Sequence, residues 1–150
     1  MKRFAFRLDR VLDIRVVEEK EQAGRMADAA RVVQERAEEA ERCQRRERDA
    51  EDQLVRSRGE RAPAGTLALL DRTMQSVRQK AQRATREHQE AIARFEIERL
   101  KYAEASKRRR SLERLRAHRL EEWKAEDNRR DQRETDEVAA RMDRKRGWTS

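Results

Sequence analysis

Apolar residues recur along most of this 150-residue chain in alternating steps of four and three. That spacing keeps one stripe of an α-helix turned toward a partner helix. In the first half the stripe runs through Leu12, Val16, Glu19, Ala23, Met26, Ala30, Val33, Ala37 and Ala40, and Glu19 is its one charged member. Beyond Ala40 the track changes phase and continues through Cys43, Glu47, Ala50 and Leu54. A shift of this kind locally relaxes a supercoil. In the second half the stripe restarts at Leu67 and holds through Leu70, Met74, Val77, Ala81, Ala84, His88, Ala91, Phe95, Glu98, Tyr102, Ala105 and Arg109 to Leu112. Stepping sustained over so many heptads is specific for a coiled coil.

Between the two stripes lies Ala62-Pro63-Ala64-Gly65-Thr66, which contains the only proline of the chain. Proline cannot donate the helical i→i−4 hydrogen bond and its ring clashes with the preceding turn, so a helix stops there. Gly59 suits the C-cap of the first helix and Thr66 the N-cap of the second. The pattern predicts an all-α fold of one domain, a long antiparallel two-helix coiled-coil hairpin. Helix 1 covers about 5–57, the turn 59–65 and helix 2 about 66–146. A kink in one continuous helix is the competing reading.

Folding the chain about residue 62 sets residue n opposite residue 124−n. Leu12 then faces the neighbourhood of Leu112, and Phe4 that of Leu120. Residues beyond about Trp123 have no first-arm partner and form an overhang of roughly 30 Å if helical. The alanines along the seam allow close approach but bury little area, so the coil is expected to be thin. Near the amino end, Leu8, Leu12 and Val16 lie on one stripe, and Val11 and Ile14 widen it beyond a two-helix seam. So wide a face implies more than one neighbour. Phe4 and Phe6 either staple the helix start or cap the end of the hairpin.

Composition supports helices and argues against a compact core. Charged residues make up 47% and aromatics 4%, with a mean hydropathy of -1.29. Disorder would fit the charge, but not the scarcity of Gly and Pro or the abundance of Arg, Glu, Ala and Gln. A single cysteine, Cys43, excludes an internal disulfide and a thiolate zinc site. No apolar run is long enough to span a membrane, and no signal-peptide h-region follows Met1-Lys2-Arg3. These features predict a cytoplasmic protein without direct membrane insertion.

The net charge is +8, and its surplus lies in the second half: residues 1–58 hold 15 basic and 14 acidic side chains, residues 59–150 hold 24 and 17. The excess is densest in Lys107-Arg108-Arg109-Arg110 with Arg114, Arg116 and Arg119, against Glu113 alone. Leu112, Leu115, Leu120 and Trp123 are interleaved with these arginines as an apolar stripe. Such a stripe suits a protein partner, with Trp123 the residue least expected to be covered by the first arm. The candidates for partner binding are Phe4, Phe6, Leu8, Val11, Ile14, Arg15, Arg108, Arg110, Arg114, Leu115, Arg119, Leu120 and Trp123. Catalytic constellations are absent: there is no glycine-rich phosphate loop, no HExxH and no cysteine pair. The carboxylates alternate with Arg and Lys at helical spacing, as on a solvated face. No enzymatic activity and no cofactor are expected, and His88 is read as a polar seam residue.

The opening Phe4, Phe6, Leu8, Val11, Leu12 and Arg15, followed by Glu18, Glu19 and Glu21, resembles the start of the flagellar export protein family FliJ. The run Leu112-Glu113-Arg114-Leu115-Arg116 leading to Glu121-Glu122-Trp123, then Glu126 and the stretch through Glu134 and Asp136, is similar too. The resemblance covers nearly the whole chain and is more specific at the amino end than in the middle. It implies a small cytosolic antiparallel coiled coil of the type III export apparatus, shaped like the central stalk of a rotary ATPase. It further implies association with the hexameric export ATPase, the cytoplasmic domain of the export gate and export chaperones, hence a peripheral place at the membrane-bound apparatus. The arginine cluster at 107–110 departs from that pattern and leaves open which acidic surface it meets.

Three other readings share the periodicity. One is the stalk protein of a virulence-type secretion system. Another is a basic coiled coil that binds nucleic acid, although the basic run is short, interrupted by acids and without aromatic stacking platforms. The third is a structural coiled coil that dimerises, whereas an intramolecular hairpin implies a monomer.

Overall fold

The computed structural model describes residues 3–148, and two α-helices account for nearly all of them. Helix α1 spans Asp9–Gly59 and α2 spans Ala64–Gly147. They pack against each other as an all-α helical hairpin, with no strand among the described residues. The fold divides into two compact units, one of Glu19–Ala105 and one of Met1–Glu18 with Ser106–Ser150.

Helix α1 begins at Asp9, four residues later than the periodicity suggests. The Leu8 carbonyl accepts the first helical bond, from Leu12 N–H at 2.9 Å, while the Phe6 carbonyl accepts from Asp9 N–H at 3.1 Å. Residues 4–8 stay outside the helix, and Phe6 is buried there. An acidic Asp9 in the first turn of α1 and Arg144, Lys145 and Arg146 in the last turn of α2 both suit the helix dipole.

The turn is tighter than 59–65 and its chemistry differs from the expectation. Gly59 is the last helical residue, and no glycine has a positive φ; the left-handed position falls on Arg61, at φ 54°. Ala62 N–H donates to the Ser57 carbonyl at 3.0 Å and Arg61 N–H to the Arg58 carbonyl at 3.3 Å. That pair of bonds is a Schellman motif, with Pro63 directly after it to prevent continuation. Thr66 is not the N-cap: the Pro63 carbonyl already accepts from Leu67 N–H at 3.1 Å, which places Thr66 inside the first turn of α2. Pro63 itself therefore occupies the N-cap position, and it has no side-chain oxygen to cap the first N–H groups of α2.

Within the unit Glu19–Ala105 the seam follows the sequence track closely. On α2 every seam position from Leu67 to Ala105 is buried or half-buried. On α1 the same holds except at Ala30, which is exposed while Ala29 is half-buried. Met26, Ala29, Val33 and Ala37 space eleven residues over three steps, a local repeat of 3.67 that replaces the heptad. The phase change then appears as Ala40 followed by Cys43, both buried, and these two form a core cluster with Ala81 and Ala84. A cluster of three alanines and a cysteine gains only about 0.8 kcal/mol per buried methyl-sized group. The seam is therefore thin.

Polar side chains fix the register of this thin seam. Gln22 donates to the Glu98 carboxylate, Arg36 meets Glu87 at 3.1 Å and Arg78 meets Glu47 at 3.3 Å. The paired residue numbers sum to 120, 123 and 125, close to the expected 124. Two charged members of the seam track, Glu47 and Glu98, thus each have a partner on the other helix. Each exposed pair contributes roughly 0.2–1 kcal/mol, so their main effect is to select one register.

Two measurements test these local readings. Replacing Arg61→Gly relieves the left-handed strain of a side chain and is expected to raise unfolding stability by about 1 kcal/mol, measured by urea denaturation; an unchanged or lower value contradicts it. Burial, then the Cys43 Sγ contact with the Glu39 carboxylate at 3.5 Å, hold the Cys43 thiol above its usual 9.0. The folded state therefore binds the thiol proton more tightly than the unfolded chain does. Its contribution is complete below the unfolded thiol's range and is lost as pH rises toward the folded value. The urea midpoint should fall more steeply above about pH 9 in the native sequence than in Cys43→Ala; equal slopes contradict it.

Candidate functional site

The unit formed by Met1–Glu18 and Ser106–Ser150 holds every candidate partner-binding residue. Here the first arm is short, so few turns of α1 lie against a longer stretch of α2. Phe4, in the non-helical amino-terminal segment, packs against Trp123, with ring centroids 6.1 Å apart and planes tilted by 58°. The pair sums to 127, near the register expected from the turn. Trp123 is therefore half-covered by the amino-terminal segment, which serves the capping role weighed for Phe4 and Phe6. Two turns earlier on α2, Arg116 Nε donates to the Asp9 carboxylate at 3.1 Å. That bond ties the second arm to the first turn of α1.

The other candidates divide between seam and surface. Phe6 is buried; Leu8, Leu120 and Arg15 are half-buried, and Arg15 pairs with Glu18 at 2.8 Å. Val11, Ile14 and Leu115 are exposed, Ile14 by 56%. Val11, Ile14 and the exposed Val17 lie together on the side of α1 turned away from Leu8, Leu12 and Val16. Arg108, Arg110, Arg114 and Arg119 are exposed, with Arg119 held to Glu122 at 3.0 Å. Residues 128–148 are exposed throughout, so the first arm covers nothing beyond the turn that carries Trp123.

Charge separates the two units by the same margin as the two halves, but concentrates the surplus in 63 residues instead of 92. This unit holds 20 basic and 13 acidic residues, whereas Glu19–Ala105 holds 19 and 18. Seven of the eight surplus charges thus belong to the paired ends of the chain. A surplus of that size attracts acidic surfaces and accelerates encounter with them. The Asp9–Arg116 bond escaped the sequence reading, though the 124−n rule places the two residues one position from opposition. Among the described residues no group of His, Cys, Asp and Glu is arranged to hold a metal ion, and no helix is long and apolar enough to cross a membrane.

If Phe4 and Trp123 stabilise the paired ends jointly, their truncations should not be additive. A double-mutant cycle with Phe4→Ala and Trp123→Ala is expected to give a coupling of about 0.5–1.5 kcal/mol in unfolding free energy. A coupling near zero would mean that the rings are merely adjacent.

Comparison with curated proteins and with solved structures gives no match. The family model described as Flagellar FliJ protein matches residues 4–147. The match includes the Phe4 segment, both helices and the exposed end of α2, and the two-helix hairpin is the fold expected from the resemblance. The chain belongs to the flagellar FliJ family, as an export-related protein of the flagellum.

Proposed function

We propose that this protein is a non-enzymatic coupling and adaptor component of flagellar type III protein export. It binds the hexameric export ATPase, the cytoplasmic domain of the export gate and export chaperones. It acts as a monomer in the cytoplasm, at the periphery of the membrane-bound apparatus. The family match over residues 4–147 is the observation that carries this reading. The basic surplus of the unit that joins both chain ends supports it, because a docking protein of this kind needs a charged surface distinct from the near-neutral remainder of the chain.

The physical role follows from what two packed helices do well. Such a pair suits the transmission of position better than chemistry, which calls for a dry cleft to tune a catalytic pKa. The unit around the turn, near neutral and laced with cross-helix pairs, supplies a fixed register. The amino-terminal segment and the second arm supply exposed apolar and cationic side chains for contact, among them Val11, Ile14, Leu115, Arg110 and Arg114.

Titration of the purified chain against its export ATPase and against the gate's cytoplasmic domain, at about 0.15 M salt, tests the proposal. Saturable binding to at least one of them, weakening as salt rises, is expected. Absence of binding to both contradicts it.

A further inference from the structure

The seven cations between residues 107 and 119 are not equivalent in the structure. Arg109 meets Glu113 at 2.5 Å, Arg116 meets Asp9 at 3.1 Å and Arg119 meets Glu122 at 3.0 Å. Arg108 also has a partner. Lys107, Arg110 and Arg114 remain, all exposed, and among the described residues no carboxylate pairs with any of them. At 3.6 residues per turn these three fall within about 60° of arc, roughly 150° around α2 from the seam side that carries Ala105, Arg109 and Leu112. They form a straight ladder, three and four residues apart, about 10 Å long.

Like charges at such spacings repel and cost the helix a few tenths of a kcal/mol per pair. Among the described residues no carboxylate forms an ion pair with the three that would cancel it. Ser111, the polar residue beside the ladder, turns its hydroxyl back to the Lys107 carbonyl at 2.9 Å. The ladder also has ends. Glu104 precedes it and Glu121 follows it, while His118, next along the same face, sits 3.2 Å from Glu122.

We propose that the Lys107–Arg110–Arg114 ladder is a docking site for an acidic helix of a protein partner, with carboxylates spaced to match. Arginine is suited to the task because its planar fork pairs with carboxylates in two parallel bonds. Duplex nucleic acid fits less well: its phosphates form an extended array, and a binding protein engages several of them at once. Three cations over about 10 Å, closed off by acids at both ends, match one short segment of a helix face instead. The proposal goes beyond the export reading, because it fixes the ligand chemistry and its test requires no export component.

The test uses the full chain and an alanine-based helical peptide with glutamates at i, i+3 and i+7. A second peptide of equal composition distributes its glutamates around the helix, and a 20-base-pair duplex serves as the nucleic-acid probe. Titrations run at about 0.05 M salt, where charge contacts are least screened. The ladder peptide should bind more tightly than the scrambled peptide and the duplex. Arg110→Gln/Arg114→Gln should weaken it about tenfold, while Lys80→Gln/Arg83→Gln, equal in charge change but on the other unit, should leave it unchanged. Equal loss in the two double variants would reduce the effect to net charge and overturn the site. Tighter binding of the duplex, equal binding of the two peptides, or no binding of the ladder peptide would overturn it as well.

Discussion

Two helices that bury mostly alanine against each other gain little per turn, so their stability has to accumulate with length. That constraint governs the unit around the turn. Its core cluster of Ala40, Cys43, Ala81 and Ala84 contains no large side chain, and none of the described residues is completely enclosed. Small residues also fit one another in many registers, because a methyl group on one helix accepts almost any methyl group opposite. Apolar packing alone would leave the pairing free to slide. The cross-helix partners of Glu47, Glu87 and Glu98 remove that freedom, since each is satisfied in only one alignment. A turn closed by a Schellman motif and a proline then sets where the alignment starts.

The paired ends of the chain follow a different logic. Aromatic contact and a long-range ion pair join the amino-terminal segment to α2, through Phe4 with Trp123 and Asp9 with Arg116. Almost all of the chain's net positive charge is carried there. Register and charge are thereby separated along the sequence: the near-neutral unit carries the cross-helix pairs, and the other unit carries the exposed cations.

Much of this architecture is legible in the residues. The four-three stepping identifies both helices, and the single proline identifies the turn. The 124−n rule locates the Gln22–Glu98, Arg36–Glu87 and Arg78–Glu47 pairs to within a few positions. What escaped has specific physical causes. Composition favours glycine for a left-handed cap, yet the backbone bonds of the Schellman motif hold Arg61 there. A heptad rule places Ala30 in the seam, whereas the local eleven-residue repeat turns Ala29 inward. In the arginine cluster, sequence shows seven cations but not which of them find carboxylates. That sorting depends on side chains reaching both along α2 and across to Asp9.

The claim on which the rest depends is that one chain folds back on itself in the register set by the turn. The most direct measurement is a set of spin-label distances at exposed pairs such as Asp28 with Ile97 and Arg45 with Lys80, in protein diluted with unlabelled chain. The account predicts a short, narrow distance for every pair, consistent with axes about 10 Å apart, and no change on dilution. Distances that vanish on dilution, or that lengthen progressively away from the turn, would contradict an intramolecular antiparallel hairpin.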